Sequence, residues 1–248
     1  MVVRKSRREL ALMREAGRIV AVTLASLQER IKPGVTTGEL DALAYETVAK
    51  LGTVPSFLGY RGFPASLCVS INEEVVHGIP GPRVLHEGDI VSLDFGAIYR
   101  GYQGDAAVTV GVGKIGREAQ ELIETTRGAL EAAIARCRRG SYLGDVSWAI
   151  QSYAESRGYS VVRQYVGHGI GRNMHEDPQI PNYGLPGRGL LLKPGMTFAL
   201  EPMVNVGTYL TRVLENNWTV VTDDLALSAH FEHTVAITEG EPEVLTRL

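Results

Sequence analysis

One structural plan occurs twice in this chain, and the two copies keep register. Ser6-Arg7-Arg8-Glu9 is a capping-box pattern. Behind it, Leu10, Met13, Gly17, Val20, Leu24, Leu27 and Ile31 recur at steps of three and four, the stripe of a long amphipathic helix. Pro33-Gly34 stops that helix, and Thr36-Thr37-Gly38-Glu39 opens a shorter one carrying Leu40, Leu43, Thr47 and Leu51 as far as Gly52. Downstream, a helix from Arg117 to Arg138 carries Leu122, Ile123, Leu130, Ile134 and Cys137. Gly140 breaks it, and a shorter helix over Val146, Ala149, Ile150 and Tyr153 ends at Gly158. Gly34 matches Gly140, Gly38 matches Gly144, Glu39 matches Asp145 and Gly52 matches Gly158, all at an offset of 106.

The strands continue the match. Glu87-Gly88-Asp89-Ile90-Val91-Ser92-Leu93-Asp94 resembles Pro194-Gly195-Met196-Thr197-Phe198-Ala199-Leu200-Glu201, which pairs Asp94 with Glu201 at an offset of 107. A duplicated half is the simplest source of such agreement. The expected fold class is α+β: a pseudo-two-fold antiparallel sheet backed by two pairs of helices, with its other face left for a site. No linker-like composition separates the halves, roughly 6–112 and 115–240, so a single domain over 1–248 is expected.

Four acids and one imidazole stand in or beside apolar, β-branched runs: Asp94 in VSLDFG, Asp105 in GDAAVTV, His168 in YVGHGIG, Glu201 in TFALEPMV and Glu232 in HFEHTVAI. Charged side chains are rarely buried unless something neutralises them. Taken singly, each acid is as well explained by an ion pair, and His168 by a structural role. Lys and Arg are scarce near all four acids in sequence, which favours a shared cation. Oxygen ligands with one His suit a pair of hard or borderline divalent ions. Such a pair can clamp a substrate and supply a hydroxide nucleophile near neutral pH. The glycines around His168 allow close backbone approach and unusual dihedrals.

The remaining signals exclude more than they assign. The formal net charge of −3 gives no nucleic-acid-binding footprint. Arg4-Lys5-Ser6-Arg7-Arg8 reads as a solvated helix end more simply than as a ribosome- or membrane-contacting patch. No apolar run reaches the roughly 18 residues of a membrane span, and MVVRKSRREL has no apolar signal-peptide core. Cys68 and Cys137 form neither a CxxC pattern nor a disulfide framework, which suits a reducing cytoplasm. There is no GxSxG elbow, no phosphate-binding GxxxxGK[ST] and no HExxH helix.

Six ordered segments, NEEVVHGIPG, SLDFG, GDAAVT, GHGIGRNMHEDP, ALEPM and SAHFEHT, resemble the signature segments of the methionine aminopeptidase family, in its short bacterial type I form. The resemblance implies a pita-bread fold and two divalent ions, Co, Mn, Fe(II) or Zn. It implies metal ligation by Asp94, Asp105, His168, Glu201 and Glu232, with Asp105 and Glu232 bridging. It implies catalytic roles for His77, His175 and Glu201, and a methionine pocket lined by Tyr60, Phe63, Cys68 and Trp218, with His77 and His175 at its edge. Asn72, Glu74 and Ser228 match positions that hold a monovalent cation in some relatives. Phe57, Arg61 and Met174 depart from common family residues at the pocket rim. The implied reaction removes the N-terminal methionine from nascent polypeptides whose second residue is small, in a cytoplasmic monomer with transient ribosome contact. The chain's own Met1-Val2 would qualify as a substrate. Two alternatives remain at this point: an X-Pro aminopeptidase or prolidase on the same fold, and a binding module without turnover.

Overall fold

The computed structural model describes residues 2–248, so Met1 and its expected processing lie outside the described residues. Four helices form: α1 (Arg7–Arg30), α2 (Thr37–Lys50), α3 (Arg117–Ile134) and α4 (Leu143–Glu155). The first-half strands are β1 (Val54–Pro55), β2 (Cys68–Ile71), β3 (Glu74–Val76), β4 (Ile90–Tyr99) and β5 (Tyr102–Gly111). There follow β6 (Ser160–Val161), β7 (Gly167–Gly169), β8 (Glu176–Ile180), β9 (Thr197–Leu200) and β10 (Met203–Asn205). The last are β11 (Thr211–Val213), β12 (Val220–Thr222), β13 (Ser228–His230), β14 (Glu232–Ala236) and β15 (Glu243–Val244).

Local chemistry explains the helix ends. Ser6 and Thr36 both close capping boxes, each side chain accepting the third helical N–H while Glu9 or Glu39 reaches back to the cap. Asp145 does the same for α4, its carboxylate accepting the Tyr142 N–H at 2.7 Å. Gly34, Gly52, Gly140 and Gly158 all have φ between 71° and 90°, which is why these turns take glycine. Helix α3 stops at Ile134, one turn short of the expected Arg138. Cys137 therefore packs in the core from the turn after the helix rather than from its stripe. The same connections recur in both halves. Gly34 N–H donates to Leu85 O and Gly140 N–H to Leu192 O, while Gly38 N–H donates to Gly81 O and Gly144 N–H to Arg188 O.

The main sheet runs β1-β4-β5-β14-β9-β7-β8, with β2 beside β4 and β15 beside β14, and its pairings are antiparallel. Strands present alternate residues to opposite faces. Val91, Leu93, Phe95 and Ala97 of β4 join Ile19, Leu27, Leu40 and Ala44 in one core under α1 and α2. Phe198, Leu200 and Val235 join Leu122, Leu130, Val146 and Ile150 in a second core under α3 and α4. Both helix pairs thus cover one sheet face, the α+β arrangement expected from the repeat.

Two contacts bind α1 closely. A Cβ on Gly104 would lie 2.8 Å from Gly17 N, and one on Gly17 would lie 2.1 Å from Leu245 O. Helix and strand meet backbone to backbone there. The basic cluster before α1 is not uniformly solvated. Lys5 is buried, its backbone N–H donating to Gly195 O, while Arg4, Arg7 and Arg8 are exposed.

Candidate metal centre and its pocket

Register carries the acids to one place. Opposed residues on antiparallel strands share a face. Asp94 opposes Ala107, Gly96 opposes Asp105, and Ala107 also opposes Glu232. All three acids therefore point away from the helices, opposite to Leu93, Phe95 and Val235. Thr234 opposes Ala199, and Ala199 opposes His168, so His168 joins the same face. Glu201 follows β9 two residues after Ala199 and keeps that parity.

One ligand atom each from Asp105, His168 and Glu232 lies within 4.8 Å of the others. Glu201 Oε1 is 3.6 Å from His168 Nε2, and Asp105 Oδ2 is 4.0 Å from it. Asp94 lies outside the tightest three but faces the same cavity. His168 Nδ1 lies 2.9 Å from the Gly169 carbonyl oxygen. A carbonyl can only accept, so Nδ1 carries the hydrogen and Nε2 turns a lone pair toward the acids.

The electrostatics favour a shared cation once these acids ionise. Burial pushes Asp94 up to about 7. Burial and then the neighbouring carboxylates push Asp105, Glu201 and Glu232 well above the carboxylate range. Burial holds His168 down near 3, with His175 beside it adding to the effect. Asp94 Oδ1, Asp105 Oδ1 and Glu232 Oε1 are buried without a hydrogen-bond partner among the described residues. Orphaned carboxylate oxygens facing one imidazole lone pair are a fit for divalent metal.

The glycines flanking His168 act by clearance rather than by dihedral. A Cβ on Gly167 would sit 2.5 Å from Ala199 O, and one on Gly169 would sit 2.1 Å from Asp177 O. Neither has a positive φ, which corrects the expectation of unusual dihedrals there. His77 does, with φ of 61°, a region that is strained for a residue with a side chain.

Tyr60, Phe63, Cys68, His77, His175 and Trp218 line the same cavity as the five candidate ligands. Phe63 meets Trp218 edge-on at 5.1 Å and His77 meets Trp218 at 6.4 Å. His175 is tilted against His168 at 4.2 Å and stacks on Tyr60 at 5.5 Å. Phe57 and Arg61 also line it, whereas Met174 is buried behind, among Phe57 and Tyr60. Burial lowers His77 to about 4, and burial with the Arg61 charge lowers His175. A neutral imidazole that can donate one hydrogen is thus available at each position.

Asn72 and Ser228 are also brought together, with Ser228 N–H donating to Asn72 O at 2.9 Å. Ser228 Oγ is buried without a hydrogen-bond partner among the described residues. Glu74 is already engaged, by Ile71 N–H at 2.8 Å and Arg83 at 2.7 Å. Sequence reading passed over three residues near the site. Tyr165 meets His77 edge-on at 5.8 Å. His230 is fully buried with Nε2 unpartnered among the described residues. Lys5 is the third, through Glu176. Only His230 had a visible signal, since it sits two residues before Glu232 in the same apolar run.

Residues 11–239 match the description Metallopeptidase family M24. The chain belongs to metallopeptidase family M24. This M24 chain is 56% identical to the methionine aminopeptidase of Clostridium acetobutylicum over 99% of both chains. It is 53% identical to methionine aminopeptidase 1 of Bacillus subtilis over 100% of both. The solved methionine aminopeptidase of Thermotoga maritima superposes with a TM-score of 0.99, at 50% identity and covering 100% of both chains. The prolidase of Pyrococcus horikoshii shares the fold at a TM-score of 0.81, with 22% identity, and this M24 chain covers 64% of it. The architecture is accordingly the pita-bread fold.

Proposed function

We infer that this M24 peptidase is a methionine aminopeptidase, a metal-dependent hydrolase that removes the N-terminal methionine from polypeptides with a small second residue. One observation carries the reading: five ligand-type side chains on a single sheet face, with orphaned carboxylate oxygens, open directly onto an aromatic pocket. The single catalytic domain is built from two related halves. Asp94, Asp105, His168, Glu201 and Glu232 would hold two divalent ions. Such ions supply Lewis acidity for the scissile carbonyl and raise the acidity of water. Co, Mn, Fe(II) and Zn all suit the donors, and availability chooses among them. Asn72, Glu74 and Ser228 would serve a monovalent cation.

The residues divide the remaining work. Tyr60, Phe63, Cys68 and Trp218 offer aromatic edges and a thiol to an unbranched thioether without demanding a hydrogen bond. Glu201 carries a proton from the attacking water to the leaving amine. The Tyr60 hydroxyl lies 2.9 Å from His175 Nδ1. With that hydroxyl donating, Nε2 of His175 carries a hydrogen for the tetrahedral oxyanion. His77 contacts the scissile amide. The partners are N-termini of nascent chains, met by a cytoplasmic monomer in transient contact with the ribosome. No helix among the described residues is long and apolar enough to cross a membrane.

The test is methionine release from Met-Ala against Met-Lys peptides, with chelation and metal add-back. Release from Met-Ala only, lost on chelation and restored by metal, is expected. Equal cleavage of both peptides, or activity that survives chelation, would overturn the assignment. Release of proline dipeptides instead would place the enzyme with the prolidases.

A further inference from the structure

Lys5 is joined to a residue far along the chain. Its Nζ lies 2.7 Å from Glu176 Oε2, with the two side chains only 4% and 11% exposed. The other cations of the same cluster, Arg4, Arg7 and Arg8, are exposed. A buried ion pair is a poor way to stabilise a fold, because taking both charges from water offsets most of their attraction, and apolar residues of similar volume hold as well. Its address is informative. Glu176 directly follows His175 and opens β8, opposite Gly169 of the strand that carries His168.

The pair also shapes the loop leading into His175. Glu176 Oε1 accepts the Asn173 N–H at 3.2 Å, and Gly171 N–H donates to Asn173 O at 3.1 Å. A Cβ on Gly171 would lie 2.5 Å from Lys5 Cε and 2.6 Å from Glu176 Oε1, so the loop folds tightly over the pair. Lys5 itself is fixed from behind, its backbone N–H donating to Gly195 O at 2.6 Å and its Nζ to Val3 O at 3.3 Å. Neither Lys5 nor Glu176 lines the substrate cavity, whereas His175 does.

We propose that the Lys5–Glu176 ion pair is a positioning device for His175, which makes the segment before α1 part of the catalytic apparatus. This rests on the aminopeptidase reading above for the role of His175. The pair holds Glu176 at a fixed point, the peptide bond transmits that point to His175, and Tyr60 aligns the ring from its other side. Lys5 and Glu176 act through His175 and touch no substrate.

The test uses full-length protein carrying Lys5→Met, Glu176→Gln, the double change, and Lys5→Arg. The double variant leaves no uncompensated buried charge, so it remains informative if a single variant fails to fold. For a Met-Ala peptide with metal-loaded enzyme, kcat should fall about tenfold or more while KM stays within about twofold, the signature of a misplaced catalytic group. Lys5→Arg should restore most of kcat. In metal-free protein, the His175 ring signals in nitrogen-15 NMR should shift or broaden in the Met and Gln variants and return with Lys5→Arg. A wild-type kcat in the double variant, with only a lowered melting temperature, would reduce the pair to a structural clip. Unchanged His175 signals would do the same. If wild-type enzyme released no methionine, the functional reading would fail, and the ring signals would still decide whether the pair positions His175.

Discussion

The Tyr60 hydroxyl sits 2.9 Å from Nδ1 of His175, and the two rings stack at 5.5 Å between centroids. One residue thus sets both the plane and the tautomer of the other. Removing the hydroxyl keeps the stack but frees the tautomer. Tyr60→Phe should lower kcat about threefold to tenfold, the worth of one hydrogen bond, with a small change in KM. Steady-state kinetics on a Met-Ala peptide measures this, and an unchanged kcat would show that the hydroxyl does not orient His175.

Asp105 is buried on β5, between β4 and β14. Outer-sphere partners of metal ligands are worth roughly 10–100-fold in affinity. A ligand itself should be worth at least as much, so Asp105→Asn should weaken divalent ion binding by about a hundredfold or more and abolish turnover. Isothermal titration with Mn(II) after chelation reads it. Full occupancy in the variant would remove Asp105 from the site.

The pH dependence has a definite sign. In metal-free protein Asp94 keeps its proton up to about 7, against an ordinary value of 3.8. Between these values the folded state binds more protons than the unfolded chain, so stability falls as pH rises. The favourable contribution is complete below 3.8 and is gone once pH passes about 7. Metal reverses the trend, because its ligands must be deprotonated. His168, held near 3, stays neutral throughout. The carboxylates, and not His168, therefore govern loss of metal at acid pH. Melting temperatures of chelated protein from pH 5 to 8 should decline, and Asp94→Asn should flatten the slope. A rise in the chelated wild type would contradict this assignment.

Gly17 lies inside α1, where Gly→Ala ordinarily stabilises by about 1 kcal/mol. Here a Cβ would fall 2.1 Å from the Leu245 carbonyl oxygen. Gly17→Ala should instead destabilise by about 1–3 kcal/mol, as overpacked cores do. That corresponds to roughly 2–4 °C of melting temperature per kcal/mol at this size. A higher melting temperature would show that the segment around Leu245 yields without cost.

Much of this was legible in the residues, and for identifiable reasons. Capping boxes at Ser6 and Thr36, and glycines at helix ends, are local chemistry and leave local marks. The candidate site was visible because Asp94, Asp105, Glu201 and Glu232 interrupt apolar strands, and burial of charge is costly enough to announce itself. What escaped notice depends on contacts between distant segments. Lys5 lies in a basic run that looks solvated until Glu176, 171 residues on, is folded against it. Tyr165 is an unremarkable aromatic until the fold sets it edge-on to His77. The end of α3 was misplaced because Cys137 continues the apolar spacing while the backbone has already turned.

Gly104 stands one residue before Asp105 and meets the backbone of α1 at Ala16 and Gly17. No side chain cushions that contact. The strand carrying Asp105 is therefore seated on a 24-residue helix as directly as two backbones permit. A longer residue at Gly104 would act as a wedge, and because strand and helix are both stiff, the displacement would pass undamped to the carboxylate. The seam between Gly104 and α1 thus fixes where the Asp105 carboxylate stands, and a residue with no chemistry of its own becomes the gauge against which the candidate centre is set.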